Sequence, residues 1–468
     1  MMAGLLLGLL TAAGLPDDAV IALIMVDRFA DGAPNRPDVV APSSPQALRL
    51  FQGGDLPGLR ARLGYLHDLG VTHLWLTPLH QQIVGPPVDE TAPYHGYWPQ
   101  TLDAVDPHFG SLADLQGLVD DAAALHMGVI LDVVTNHLGY GANDPLHLVR
   151  AHCGDDDVSS CLFGLPDLQT EDERVRAIVV DKTLWWARQA PLAGFRIDAF
   201  KHVDRATSTA LRAAVPPGFF TLAEEWGASP GDAVVDEILS SGAADAVFDF
   251  GFAGLARDFV QGRMRSAAFV HHLVKRDADA APRAPMLPFL DNHDLATWTG
   301  SVGAQRSPIG AALLLTNRGI PVVTWGTELL REGGATDPEN RSFMPWDRAE
   351  QQQHDPSSSF HFWRRLIHLR TSSIAARRGT LSIRGHDVDD SAPHFTVYER
   401  RHEQQRVVTA LALDRPLHHI EPLARAAHLV DVIAWHGRAQ REGEQLVIDV
   451  DKDGAVVVVL QDPSPGGP

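Results

Sequence analysis

Through the first three quarters of the chain, short apolar or β-branched runs alternate with stretches whose apolar residues recur every three or four positions. That alternation predicts βα units around a parallel sheet. Eight strands are expected in order: Ala19 to Val26, Val71 to Leu76, Gly128 to Val134, Gly194 to Ala199, Phe219 to Ala223, Ala246 to Phe250, Leu287 to Leu290 and Ile320 to Thr324. Between the first two, Leu59, Leu63, Leu66 and Leu69 form the stripe a helix needs to pack on a barrel. Ser111 with Asp114 reads as a variant capping box, opening a helix that Gly128 is expected to close. Eight such units predict a TIM (β/α)8 barrel.

Two stretches break the rhythm. Residues 138–170 hold Gly139, Gly141, Pro145, two cysteines and the run Asp155-Asp156-Asp157, and read as a short excursion from the third strand. From Gly379 the pattern turns to short alternating strands, such as His394 to Tyr398, Arg406 to Leu413 and Gly454 to Leu460, which predicts an antiparallel β domain. The expected organisation is a signal peptide or extension at 1–17, the barrel at 18–137 and 171–378, the excursion at 138–170, a C-terminal all-β domain at 379–461 and a tail at 462–468.

Composition narrows the partners. At 468 residues the chain exceeds what one hydrophobic core serves, in keeping with a barrel plus an appended domain. Lys and Arg number 39 against 59 Asp and Glu, a net charge of -20 that repels nucleic-acid phosphates and anionic lipid, so a neutral or cationic partner is expected. Cys153 and Cys161 are too few for a zinc motif or a disulfide scaffold, and leave one local disulfide open. The apolar run Ala3 to Leu15 has the length of a signal-peptide core but no basic residue before it, so a secreted or periplasmic location and a plain extension both stand. No later run is long and apolar enough to cross a bilayer.

In a TIM barrel, chemistry sits where the strands end at the C-terminal face. Here the third strand ends Asp132-Val-Val-Thr-Asn136-His137, the fourth gives Arg196-Ile-Asp198 and then Lys201-His202, the fifth Glu224, and the seventh Asp291-Asn292-His293-Asp294. One such Asp is usually a helix cap or a solvated loop residue; acid, His and Arg at four strand ends together are not. Side chains alternate along a strand, so Arg196 and Asp198 share a face, and an arginine there holds Asp198 ionised. A charged carboxylate beside a second carboxyl kept protonated is the pair that retaining glycoside hydrolysis requires.

These segments resemble the alpha-amylase family of retaining glycoside hydrolases. The resemblance runs from about Asp18 through Trp346, then more loosely to the end, and rests on Asp132-Val-Val-Thr-Asn-His137, Gly194-Phe-Arg-Ile-Asp-Ala-Phe-Lys-His202, Leu222-Ala-Glu-Glu-Trp226 and Phe289-Leu-Asp-Asn-His-Asp294. Leu165-Pro-Asp-Leu168, the run from Gly70 to Pro78 and Gly319 to Gly326 add to it, and the order and spacing carry more than any single match. It implies Asp198 as nucleophile, Glu224 as general acid/base and Asp294 as a third carboxylate stabilising the distorted sugar. It also implies sugar contacts from His95, Tyr97, His137, Arg196 and His293, leaving-group contacts from Lys201 and His202, and a further sugar-binding pair in Asp337 and Arg341. Tyr97 would be a stacking platform, with barrel-mouth packing its structural alternative.

A calcium site is implied at Asn136, Asp167 and the backbone carbonyl of His202, an oxygen set suited to a hard cation. A second, at Asp31, Gly53 and Asp55, is weakened by Ala33 where an asparagine ligand is common, and these Asp residues also read as turn formers. Leu-Ala-Thr-Trp298 after Asp294 lacks an arginine that many members carry, so this region is expected to be rearranged. The implied substrate is starch, maltodextrin or a related alpha-glucan, with a cyclodextrin-cleaving or transglycosylating enzyme as the alternative. A non-catalytic sugar-binding relative would be marked by loss of a catalytic carboxylate, and all three are present.

Overall fold

A computed structural model describes residues 15–33, 39–40, 47–85, 87–280, 285–387 and 395–463. Most of the N-terminal segment (1–14) and of the C-terminal tail (464–468), on which two of the expectations above fall, lie outside the described residues. All eight expected barrel strands form, seven of them shortened at one or both ends and the seventh in order starting one residue early and ending two early: β1 Ile21–Ile24, β2 His73–Leu76, β3 Gly128–Val133, β4 Gly194–Ile197, β5 Phe220–Ala223, β6 Ala246–Asp249, β7 Met286–Pro288 and β8 Val322–Thr324. They pair in parallel in the order β7-β6-β5-β4-β3-β2-β1-β8, and a parallel bridge between Phe289 and Val322 joins the two edges into a cylinder. Every residue of β1, β4, β5 and β6 is buried, as expected of strands with a packed lumen on one side and helices on the other.

Ser111 does cap the helix Leu112–Ala124 through a reciprocal bond with Asp114. The expected closure by Gly128 is corrected: the helix stops at Leu125, and Gly128 opens β3. A Cβ on Gly128 would sit 2.7 Å from the His73 ring, so the glycine serves close strand pairing rather than a helix cap. The leucine stripe falls on two short helices, Leu56–Ala61 and Leu63–Leu69, meeting at Arg62.

Between β3 and the helix Glu173–Gln189, the excursion packs its own small core of Leu138, Leu148 and Leu168 against Leu102, Val175 and Val179. It is laced to the end of β3 by the bridge His137–Asp167 and by the Leu168 amide donating to the Asn136 carbonyl at 2.8 Å. Cys153 and Cys161 are disulfide-bonded.

The C-terminal region is an antiparallel sheet of β9 Thr380–His386, β10 Phe395–His402, β11 Gln405–Ala412, β12 Leu417–Pro422, β13 His428–Glu442 and β14 Gln445–Gln461. Of the strands expected here, His394 lies outside the described residues, and the Gly454 to Leu460 run is the second half of a 17-residue strand.

Candidate active site

The site is built where β3, β4, β5 and β7 run out. Asp132 on β3 and Arg196 on β4 are register partners, so both side chains leave the sheet on the same face. Arg196 is fully buried and reaches three carboxylates. Its Nη1 donates to Asp132 at 2.9 Å and to Asp198 at 2.6 Å, and its Nη2 meets Glu224. The ladder persists one residue past each strand: the Asp198 amide donates to the Val133 carbonyl at 3.0 Å, and the Glu224 amide to the Ile197 carbonyl at 3.3 Å. Both acids therefore project from anchored backbone. Next to Asp198, Ala199 adopts a left-handed conformation (φ 46°), and its amide donates to Glu224 Oε2 at 2.9 Å. A non-glycine residue held there costs conformational energy, and here the turn aims one N–H at the acid.

Glu224 and Glu225, adjacent in sequence, part ways as strand alternation requires. Glu224 joins the Arg196 cluster, whereas Glu225 faces Arg205 at 3.6 Å and is buried rather than solvated. Burial is the largest influence on Glu224 and, with Asp198 and Asp294 nearby, lifts it to about 8 against the pull of Arg196. Burial likewise lifts Asp132, to about 7, with Arg196 opposing. Burial would also raise Asp294, but His293, Arg341 and Arg196 hold it below its ordinary value. Asp294 receives Arg341 Nη2 at 2.9 Å and sits 3.1 Å from His293 Nε2. The mouth thus holds two carboxyls, Glu224 and Asp132, biased towards the protonated form and one, Asp294, biased towards the charged form.

Tyr97 lies parallel to the His293 ring at 5.2 Å and donates its hydroxyl to Asp132 at 2.8 Å. His95 accepts from the Tyr97 amide at 3.0 Å, and His137 Nε2 meets the Tyr97 carbonyl at 3.0 Å, so two of the expected sugar contacts also brace the third. Burial is the chief cause that keeps His95, His137 and His293 below their ordinary values, His293 at about 3. Asp337 and Arg341 pair at 2.9 Å, and Tyr94 donates to Asp337 at 3.0 Å. Lys201 and His202 lie on the short helix after β4 and both contact Asp157 of the excursion.

Asp132 was quoted above only as part of a motif, yet it is the anchor of the cluster. Besides Arg196 and Tyr97 it accepts from Trp75 Nε1 at 3.1 Å. Its alternation with the strand-end residues was the available signal. Asp291, by contrast, accepts from the Trp298 amide at 2.6 Å and serves the turn. Past Asp294, Thr297 caps the helix Trp298–Val302 and the Trp298 ring is buried, its Nε1 donating to the Ser307 carbonyl at 2.8 Å.

Asn136 Oδ1 and Asp167 Oδ1 are buried without a hydrogen-bond partner, on segments that pair with each other. Two such oxygens suit a hard cation. The other Asp167 oxygen takes Arg150, which also grips Glu171 with two bonds of 2.9 Å. Among the described residues no group of three His, Cys, Asp or Glu side chains gathers as a metal cluster. In the second set, Asp55 Oδ1 accepts from the Gly32 and Gly58 amides at 2.9 and 2.7 Å, capping the helix Leu56–Ala61, and Asp31 accepts from the Ala33 amide at 3.0 Å.

An eight-stranded parallel barrel with four carboxylates, two arginines and three histidines at its C-terminal mouth has the layout of a barrel enzyme's active site. A family model described as the alpha amylase catalytic domain matches residues 23–144. The chain is 26% identical to a cyclomaltodextrin glucanotransferase of Bacillus sp. (strain 1-1), over 84% of this chain and 59% of that protein. Among solved structures it is similar to an Anoxybacillus alpha-amylase (27% identity, TM-score 0.80, 96% of this chain and 99% of the other). It is also similar to an alpha-amylase of Geobacillus thermoleovorans complexed with acarbose (26%, TM-score 0.77, 96% and 99%). Over most of its length the chain is thus similar to proteins of the alpha-amylase family. It spans about 59% of the length of the first of these curated relatives.

Proposed function

We propose that the protein cleaves alpha-glucosidic bonds, mainly alpha-1,4, in starch, maltodextrin or related alpha-glucans by retaining double displacement. The observation that carries this reading is that one guanidinium, Arg196, holds both Asp198 and Glu224. Two carboxyls sharing a guanidinium lie close together, which suits the short spacing of a retaining pair better than the about 6.5–9.5 Å an inverting pair leaves for its water. Asp198 attacks the anomeric carbon while Glu224 protonates the leaving oxygen. Glu224, now a carboxylate, then takes a proton from the incoming water, which displaces Asp198 and restores the alpha configuration. Asp294 stabilises the oxocarbenium-like sugar, Tyr97 stacks on it, and His95, His137, Arg196 and His293 hold its hydroxyls. Asp337 and Arg341 grip the glycone side, and Lys201 and His202 the leaving group. Proton NMR of early products tests the reading: alpha-configured ends are expected, and beta ends overturn it.

A second reading, a cyclodextrin-cleaving or transglycosylating enzyme, is favoured by the cyclomaltodextrin glucanotransferase relative. Product profiles on starch, pullulan and cyclodextrin, run side by side, separate the two. The partition into a barrel (18–137 and 171–378), an excursion (138–170) and a C-terminal β domain (379–461) is part of the same reading, supported by the break in sheet type after residue 379.

We also propose a calcium ion held by Asn136, Asp167 and the His202 carbonyl. The unpartnered Asn136 and Asp167 oxygens support it. Its role is structural, tying the excursion to the turn after β4, and no catalytic step runs through it.

A further inference from the structure

The disulfide-closed loop of the excursion touches the residues on the leaving-group side. Cys153 and Cys161 are joined with their Cα atoms 5.3 Å apart. Inside the ring the Gly154 amide donates to the Ser159 carbonyl at 2.8 Å. The Asp156 carboxylate accepts from the Val158 amide at 3.0 Å, the Ser159 amide at 2.9 Å and the Ser159 hydroxyl at 2.6 Å. Asp157 adds one long bond to the loop, its carbonyl accepting from the Ser160 hydroxyl at 3.4 Å, and its carbonyl and carboxylate both face the short helix after β4. Its carbonyl lies 2.7 Å from His202 Nδ1 and its carboxylate 3.2 Å from Lys201 Nζ.

The two contacts differ in weight. The Lys201–Asp157 pair is half exposed, 41% and 59%, and an ion pair in water adds little. The carbonyl contact is more informative. A carbonyl oxygen only accepts, so the hydrogen resides on His202 Nδ1, and a neutral ring then presents Nε2 as an acceptor. An imidazole with a bare Nε2 binds a sugar hydroxyl as donor, whereas the other tautomer would present an N–H there.

We propose that Asp157 is a positioning residue for the leaving-group side: its carbonyl, held in place by the Cys153–Cys161 ring, fixes His202 as the tautomer whose Nε2 accepts a hydroxyl hydrogen from the departing or accepting sugar. The inference rests on the reading of His202 as a leaving-group contact. It assigns the disulfide loop a part in specificity, acting through a backbone atom rather than through its acidic side chains.

The test compares maltoheptaose, which places sugar on both sides of the scissile bond, with an aryl alpha-maltotrioside, whose leaving group has no sugar hydroxyl. Opening the loop with Cys153→Ser/Cys161→Ser is expected to lower kcat/KM for maltoheptaose about three- to tenfold, the value of one hydrogen bond, and to leave the aryl substrate unchanged. In a His202→Ala background, loop opening should have no further effect. Equal losses on both substrates, or an undiminished loop effect without His202, overturn the proposal. A His202→Ala variant indifferent to the choice of substrate instead overturns the leaving-group reading beneath it. Because the serine variant could fold poorly, a second measurement uses the unaltered protein: nitrogen-15 NMR of His202 should report a protonated Nδ1, and a protonated Nε2 refutes the proposal.

Discussion

Two buried charge clusters, one in the barrel mouth and one in the C-terminal sheet, are built from the same residue types and behave in opposite ways. In the mouth, one arginine serves three carboxylates: Asp132, Asp198 and Glu224. In the sheet, Arg406 bonds Glu399 at 2.5 Å and Glu421 at 2.6 Å, and Arg384 meets the same two acids at 2.7 and 3.5 Å. The first is short of positive charge and the second is balanced. Burial pushes Glu224 and Glu421 alike towards the neutral form. Glu224 ends high, at about 8, whereas His419, Arg406 and Arg384 bring Glu421 below its ordinary value. A buried cluster left with surplus negative charge is poised for proton transfer, and one whose charges cancel is a structural tie.

The sharpest way to break the comparison is to remove one acid from the mouth. Glu224→Gln is expected to lower kcat by at least about 10²–10⁴-fold, and Asp198→Ala to abolish turnover, both with native circular dichroism. An activated aryl glycoside, which needs little protonation, should be cleaved relatively better by Glu224→Gln; its absence of preference would shift the acid elsewhere. In the sheet the expected loss is of stability instead. Arg406→Met leaves Glu399 and Glu421 short of a cation and should cost about 3–5 kcal/mol in denaturant unfolding, with kcat of the folded fraction unchanged.

The pH dependence sharpens the contrast in sign. Glu224 has its folded value, about 8, above its ordinary 4.5, so the stability it contributes is fully present below 4.5 and is lost as pH rises through 8. Glu224→Gln should therefore narrow the fall in Tm between pH 5 and 9, and kcat/KM of the unaltered enzyme should decline above about pH 8 as the acid ionises. Glu421, held low, contributes stability above 4.5 that is lost as pH falls through its folded value, so Glu421→Gln should flatten the acid side of the same curve. Parallel shifts in both variants would contradict the assignment of charge balance.

Smaller effects follow at the margins of the mouth. Exhaustive chelation should lower Tm by an amount corresponding to about 2.7 kcal/mol if calcium was present at a hundred times its Kd. An unchanged Tm, with no metal by elemental analysis, removes calcium from the Asn136–Asp167 site. Least of all, Glu225→Gln, beside Arg205 and outside the Arg196 cluster, should alter kcat far less than Glu224→Gln. A large loss there would exchange the two glutamates' roles.

Much of this was legible in the chain itself. Apolar runs and helical stripes located all eight barrel strands to within a few residues, because burial on both faces leaves a contiguous local signature. Alternation separated Arg196 and Asp198 from Ile197, since neighbours on a strand must point apart, and in the structure the same rule parts Glu224 from Glu225. The errors were local as well: Gly128 carries the same signature whether it ends a helix or lets two strands approach, and only the His73 ring across the pairing decides.

What only the tertiary structure decided is which distant groups share a partner. Asp132, Asp198 and Glu224 converge on one guanidinium because parallel pairing sets β3, β4 and β5 in register, and no spacing along the chain encodes that. The same holds for the 45 residues separating Asp157 from His202, bridged by a loop closed on its own disulfide. Sequence determined which side chains stand at the strand ends, through short-range periodicity. Closure of the barrel determined their charge state, because desolvation and shared partners exist only once the strands have met.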